Sequence, residues 1–187
     1  MKRAFITIIV WIAALAALAC EECACEEWGG PSLEAYIIDD GTPKTNIRCA
    51  PNGKIAMSVN PKIPYMVTLA NPKNGWWEVL TIYEPNEEFV EDTPIFLSGS
   101  STGKYFIHNS MVGFETRTYG ESHPLRAKPS SKGKVVCKLG PNSVLVHPID
   151  LANDEEVGMW VKVKTDDGRE GWIELEMICS NPLTTCP

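Results

Sequence analysis

Seven cysteines and three histidines are the residues of this 187-residue chain best suited to covalent or metal chemistry. A nucleophilic cysteine needs a depressed thiol pKa, as at a helix N-terminus, and a histidine to take its proton. Cys49 and Cys137 instead fall in strand-like runs, and His108, His123 and His147 are scattered through β-type segments. No second Cys or His pair follows Cys23-Ala-Cys25 at the spacing a zinc knuckle needs. His-Glu-x-x-His and phosphate-loop patterns are absent. The sequence therefore predicts no catalytic residue, no cofactor and no metal site. What it offers is binding chemistry: Trp76 and Trp160 as flat apolar contact surfaces, with Arg48, Arg126 and Lys162 as cationic donors.

Between residue 33 and the C-terminus, the elements that must position these side chains read as strands. No apolar stripe of 3.6-residue period exceeds two turns. Short runs rich in Val, Ile, Tyr and Trp are instead separated by turn residues at Asp40-Gly41, Asn52-Gly53, Asn74-Gly75, 140–142 and Asp167-Gly168. Asp167-Gly168 predicts a hairpin with a type I′ turn. Successive strand side chains point to opposite faces. Val161 and Val163 therefore share the inner face, and Trp160 lies outside with Lys162, which is best left in water. By the same rule Trp77 and Val79 point inward and Trp76 outward beside Glu78, while Trp172 and Phe106 are expected in the core. Two roles stay open for the outward tryptophans: contact with a ligand, or cover for a small core short of apolar burial. Arg48 and Arg126 likewise either pair with a nearby carboxylate or present a guanidinium fork to a ligand.

A strand-and-turn pattern occurs twice. Residues 46–51 (NIRCAP), 53–57 (GKIAM), 75–79 (GWWEV) and 103–112 (GKYFIHNSMV) are followed by 124–129 (PLRAKP), 133–137 (GKVVC), 159–163 (MWVKV) and 171–178 (GWIELEMI). Self-similarity at this period indicates two copies of one module. Both copies resemble the bacterial SH3 (SH3b) family, whose signature is L/I-x-R-x-x-P, a G-x-V turn, a W-x-K-V strand and a closing G-W-V/I stretch. The second copy carries every element in order. In the first, Phe106 stands where the closing Trp would be, and the spacing from Trp76 places an extra segment over about 81–102, within which the acidic stretch 83–92 is expected to be a solvated loop. SH3b modules often accompany a cysteine peptidase of the NlpC/P60 type, but the Asp-Cys-Ser/Gly context of such enzymes is missing and no room is left for a catalytic domain.

Lys2 and Arg3 precede an apolar run from Ala4 to Ala19. As a helix this run would rise roughly 24 Å, short of the ~30 Å hydrocarbon core, so it reads as a signal peptide rather than a span. Cys20 follows directly and resembles the lipidated cysteine of bacterial lipoproteins, although Ala17 and Leu18 depart from the usual lipobox. Lipidation there would leave six cysteines, enough for up to three disulfides in an oxidising compartment. Loss of Lys2 and Arg3 takes the formal charge from −7 to −9, which disfavours nucleic acid.

The expected protein is all-β, with two small SH3-like β-barrels in tandem and an inserted loop segment in the first. Its divisions are a signal peptide (1–19), an acidic Cys-rich leader (20–32), module 1 (33–119) and module 2 with a C-terminal tail (120–187). The resemblance implies a non-catalytic cell-envelope protein, exported to the periplasm or cell surface and held by a lipid on Cys20. Its partner would be a peptidoglycan stem peptide or an extended segment of an envelope protein. The alternative is a structural subunit of an envelope complex with no groove in use.

Overall fold

Strong β formers in short runs, broken every few residues by Asn, Gly and Pro, leave the chain little option but strands. The computed structural model describes residues 30–38, 41, 43–63, 65–84, 94–97 (backbone only), 103–118, 120–154 and 158–180. Signal peptide, Cys20 and most of the acidic leader lie outside these residues. Fourteen strands are described: β1 (Ser32–Ile37), β2 (Thr45–Arg48), β3 (Ile55–Val59), β4 (Met66–Lys73), β5 (Trp76–Tyr83), β6 (Pro94–Leu97), β7 (Phe106–His108), β8 (Val112–Thr116), β9 (His123–Arg126), β10 (Val135–Leu139), β11 (Leu145–Asp154), β12 (Gly158–Thr165), β13 (Glu170–Glu174) and β14 (Ile178–Cys179). Helical structure among the described residues is confined to 3-10 turns at Asn109–Met111 and Leu175–Met177. All strand pairs are antiparallel, and no described helix is long and apolar enough to cross a membrane.

The strand order is β10-β9-β13-β12-β11-β8-β1-β4-β5-β7-β2-β3. Read outward from its centre, each half gives the same sequence of roles: β8 answers to β1, β11 to β4, β12 to β5, β13 to β7, β9 to β2 and β10 to β3. The centre is the pairing of β1 with β8, Tyr36 opposite Gly113 and Ile37 opposite Val112. β14 adds to β8 in the same way that β8 adds to β1, and each follows a 3-10 turn. β8 thus has two jobs, closing strand of the first half and opening strand of the second.

That sharing changes the expected pair of separate cores. Leu33, Val67, Leu69, Trp77, Val79 and Ile107 of the first half belong to one apolar cluster with Leu125, Leu139, Val146, Val161, Val163 and Ile173 of the second. A bulge in β11 between Pro148 and Asp150 disturbs the ladder, and the Pro148 carbonyl accepts a buried hydrogen bond from Trp77 Nε1 at 3.0 Å. Near the joint, burial and then the charge of Glu115 push the Tyr36 phenol up to about 12.

Two local expectations are corrected. The type I′ turn falls at Asn74-Gly75, where both residues have positive φ (52° and 81°). At Asp167-Gly168 only the glycine does (φ 87°), and Gly168 N–H donates to the Thr165 carbonyl, so the hairpin is a tight turn closed by a left-handed glycine. The insertion in the first half also contains a strand, β6, which pairs with β5; residues 85–92 of the expected solvated loop lie outside the described residues.

Candidate functional site

Cross-strand register brings the two tryptophans to equivalent places. Trp76 on β5 sits opposite His108 on β7, and Trp160 on β12 sits opposite Glu174 on β13. Val161 and Val163 are fully buried in the core, as are Trp77 and Val79, so alternation puts Trp160 and Trp76 on the other face. Their surroundings then differ. The Trp76 ring is half-buried and meets the His108 ring edge-on, centroids 5.2 Å apart, at the side of a hollow lined by Lys73, Glu78, Lys104 and Phe106.

Trp160, expected to be exposed, is only 1% exposed. Alternation decides which face a side chain takes, not what lies on that face. Here the segment 121–124, Arg126 of β9 and Met177 of the 3-10 turn come to the same place as Trp160. With Ile173 and Glu174 they leave a cavity of about 130 Å³. Among the described residues, Trp160 Nε1 is buried and has no hydrogen-bond partner. Glu174 beside it is held above the ordinary carboxyl range by burial first and the charge of Glu176 second, with Arg126 opposing. His123, also buried, places Nε2 2.5 Å from the Arg117 carbonyl.

The arginines serve their own halves. Arg48 Nη1 donates to the Gly53 carbonyl at 2.7 Å and Arg126 Nη1 to the Gly133 carbonyl at 2.9 Å, so the internal partner is a turn carbonyl rather than a carboxylate. A β-carbon on Gly133 would lie 2.9 Å from both the Lys128 and Ser130 carbonyl oxygens, which explains glycine at this turn. Lys162 pairs with Glu170 at 2.5 Å. The equivalent pair in the first half is reversed in sign: Glu78 takes hydrogen bonds from Lys104 at 3.0 Å and Asn71 at 2.8 Å. Phe106 and Trp172, expected in the core, are half-buried on the same face as Glu78 and Lys162, because their neighbours Ile107 and Ile173 turn inward.

Covalent chemistry finds no assembled machinery among the described residues. Cys49 is exposed, Cys137 half-buried, and both are unpaired, which removes them from the expected disulfides. His108 bonds Ser110, and His147 bonds the Val112 carbonyl and Asp166; neither meets a cysteine. No group of three or more His, Cys, Asp or Glu among the described residues is placed to hold a metal ion. Residues 99–103 spell Gly-x-Ser-x-Gly; of these only Gly103 lies among the described residues, and from there the chain runs into β7 at Phe106 rather than into the helix that motif needs.

The cavity thus gathers Trp160 and Arg126 from the expected site residues, leaves Trp76 and Arg48 on the other half, and adds His123, Glu174 and Met177. Only the strand register could have supplied Glu174, and nothing in the sequence signals that 121–124 lines the same cavity as Trp160.

Residues 123–178, which contain the whole cavity except Glu121 and Ser122, match the bacterial SH3 domain family. A search of curated proteins finds no match. Among solved structures the chain is similar to NlpC1 from Trichomonas vaginalis, at 13% identity and a TM-score of 0.31, with 84% of this chain and 49% of that one covered. NlpC2 from Trichomonas vaginalis gives 12% identity, a TM-score of 0.29, and coverage of 81% and 49%. The chain spans about half the length of these structures.

Proposed function

We propose that this protein is a non-catalytic binding component of the cell envelope: two SH3-like modules fused through β8, exported by the N-terminal segment and held at a membrane face by a lipid on Cys20. Its ligand is a peptidoglycan stem peptide or an extended segment of a partner protein. The observation that carries this reading is the tryptophan-lined cavity within the region that matches the bacterial SH3 domain family. A small β module with one concave, partly apolar pocket and a few polar groups suits recognition of a short polymer unit.

Co-sedimentation of the mature protein with purified peptidoglycan sacculi tests this, with the supernatant analysed for released fragments. Saturable retention without fragments is expected; release of fragments would convert the reading to a hydrolase. The structural-subunit reading is favoured by the internal engagement of Arg48, Arg126 and Lys162. Absence of retention would select it.

A further inference from the structure

We propose that the free edge of β10 docks a short, extended, acidic segment of a partner protein by strand addition. The formal charge of −7 is spread unevenly along the chain. Residues 122–149 hold Arg126, Lys128, Lys132, Lys134 and Lys138 and no Asp or Glu. The four lysines are exposed, and among the described residues none of them forms an ion pair. Lys134 and Lys138 bracket the exposed part of β10, the first strand of the sheet order, which pairs with β9 alone among the described strands. Antiparallel strands send the N–H and C=O groups of alternate residues to either side. On the side away from β9, those of β10 have no described strand to meet. The register shifts between Val135 and Cys137, and Val135 and Val136 are both exposed, at 39% and 49%.

Lysines and a bulge on an edge strand guard against pairing with another copy, and here that guard decides the occupant. β3, at the other end of the order, answers to β10 and carries exposed Lys54 beside exposed Ile55. Pairing of β10 with β10 or β3 of a second copy therefore brings lysine-bearing edges together. A strand of opposite charge meets no such repulsion: its carboxylates reach Lys134 and Lys138, its apolar residues cover the valines, and its backbone takes up the open edge. Guarding alone explains the lysines but not two neighbouring exposed valines. An anionic membrane would also attract the lysines, but it offers no ladder to the backbone, and residues 122–149 contain no Trp, Tyr or Phe to anchor in the interface. Arg169 Nη1 donates to the Lys138 carbonyl at 3.3 Å while its charge is held by Asp167, so that end of β10 is engaged and the segment is a short one centred on Val135 and Val136. β10 does not line the Trp160 cavity, which makes its edge a second site, beyond the sacculus-binding reading.

The test titrates the full mature chain, labelled for amide NMR, with a capped peptide of alternating glutamate and valine. Comparison probes are the same peptide with lysine for glutamate, a fully N-methylated version that keeps the charges but has no backbone N–H, and phosphatidylglycerol vesicles. Saturable shifts centred on the amides of β10 are expected with the acidic peptide, and none with the lysine peptide. Affinity should fall at least tenfold with the N-methylated peptide and in Lys134→Glu/Lys138→Glu. Thermal melting of that variant should match the parent, because both side chains are exposed; if it does not, loss of binding to the parent at high salt gives the same readout, since screening shortens the reach of the lysines. Lys54→Glu on β3 should bind the peptide as the parent does. No shift up to millimolar peptide, or equal affinity for the N-methylated peptide, overturns the proposal. So do vesicles that move the same amides as strongly, which would assign the edge to a membrane, and a dimer in sedimentation whose β10 amides are already protected. Sacculus retention without peptide shifts sinks this inference alone; peptide shifts without retention leave it standing and remove the sacculus reading.

Discussion

Trp77 shows how one side chain ties the halves together. It is fully buried, and its indole N–H donates to a carbonyl of β11, 71 residues away. Trp77→Ala should cost about 3–5 kcal/mol through lost packing. Trp77→Phe should cost roughly 1–3 kcal/mol, largely by stranding the Pro148 carbonyl. Denaturant unfolding followed by Trp emission and by far-UV circular dichroism should shift together in both variants, because the bond spans the joint. A loss seen by only one probe would place Trp77 within a single half. At the tip of the β12–β13 hairpin, Asp167 offers a titration test. Hydrogen bonds from Arg169 first and Thr165 second hold its carboxyl at about 2. A folded pKa below the unfolded value of roughly 3.9 means the contribution is fully present above that value and is lost as pH falls toward about 2. Carboxyl carbon NMR should therefore show Asp167 ionised at pH 3, and Asp167→Asn should lose less stability than the parent between pH 4 and pH 2. A midpoint near 4 would show that the clamp is not closed in solution. Alternation along the strands gave the inward faces of Trp77, Val79, Val161 and Val163 from sequence alone. The burial of Trp160 was not readable there, since the cavity beside it is lined in part by a segment preceding it by nearly forty positions.

Turns and registers explain which elements the sequence revealed. Asn74-Gly75 and Asn52-Gly53 are punctuated by residues that accept positive φ, and strands follow at once. β6 was hidden because it lies in the insertion, which has no counterpart in the second half, and only its pairing with β5 reveals it. The joint of β1 and β8 depends on a single small residue. A β-carbon on Gly113 would lie 2.7 Å from Ile38 Cδ1, a side-chain end that can turn aside, and 2.9 Å from the Val146 carbonyl oxygen, a backbone atom, so β8 or β11 would have to shift. Gly113→Ala should therefore destabilise by about 1–3 kcal/mol, the usual range for overpacking. Hydrogen exchange should locate the damage, with amides of β1, β8 and β11 losing protection before those of β9 and β10. Uniform loss across both halves, or no loss at all, would mean that the joint is not where the clash is relieved.

At the scale of the whole molecule, repetition in sequence and continuity in structure give different divisions of the chain. The paired motifs place a boundary near residue 120, and the match to the bacterial SH3 domain family begins at residue 123. Both leave β8 with the first half. Nothing in a one-dimensional pattern marks a strand that is counted twice, because its five residues satisfy the needs of either neighbour. In the folded chain Phe114 pairs with Val146 and is fully buried, and Thr116 exchanges hydrogen bonds with Val144, backbone N–H to carbonyl at 3.0 Å and Oγ1 from the Val144 N–H at 3.0 Å. Ile178 of β14 also pairs with Thr116. A fragment of residues 120–187 loses all of this. Removal of a buried aromatic side chain alone costs about 3–5 kcal/mol, against a total stability of about 5–15 kcal/mol for an ordinary domain. Residues 120–187 should therefore give a poorly dispersed amide spectrum and no cooperative melt. Residues 103–187, which restore β7, the 3-10 turn and β8, should recover dispersion and a melting transition, with β7 left unpaired. A well-dispersed spectrum from 120–187 alone would show that the second half closes without the shared strand, and the division at residue 120 would then be the physical one.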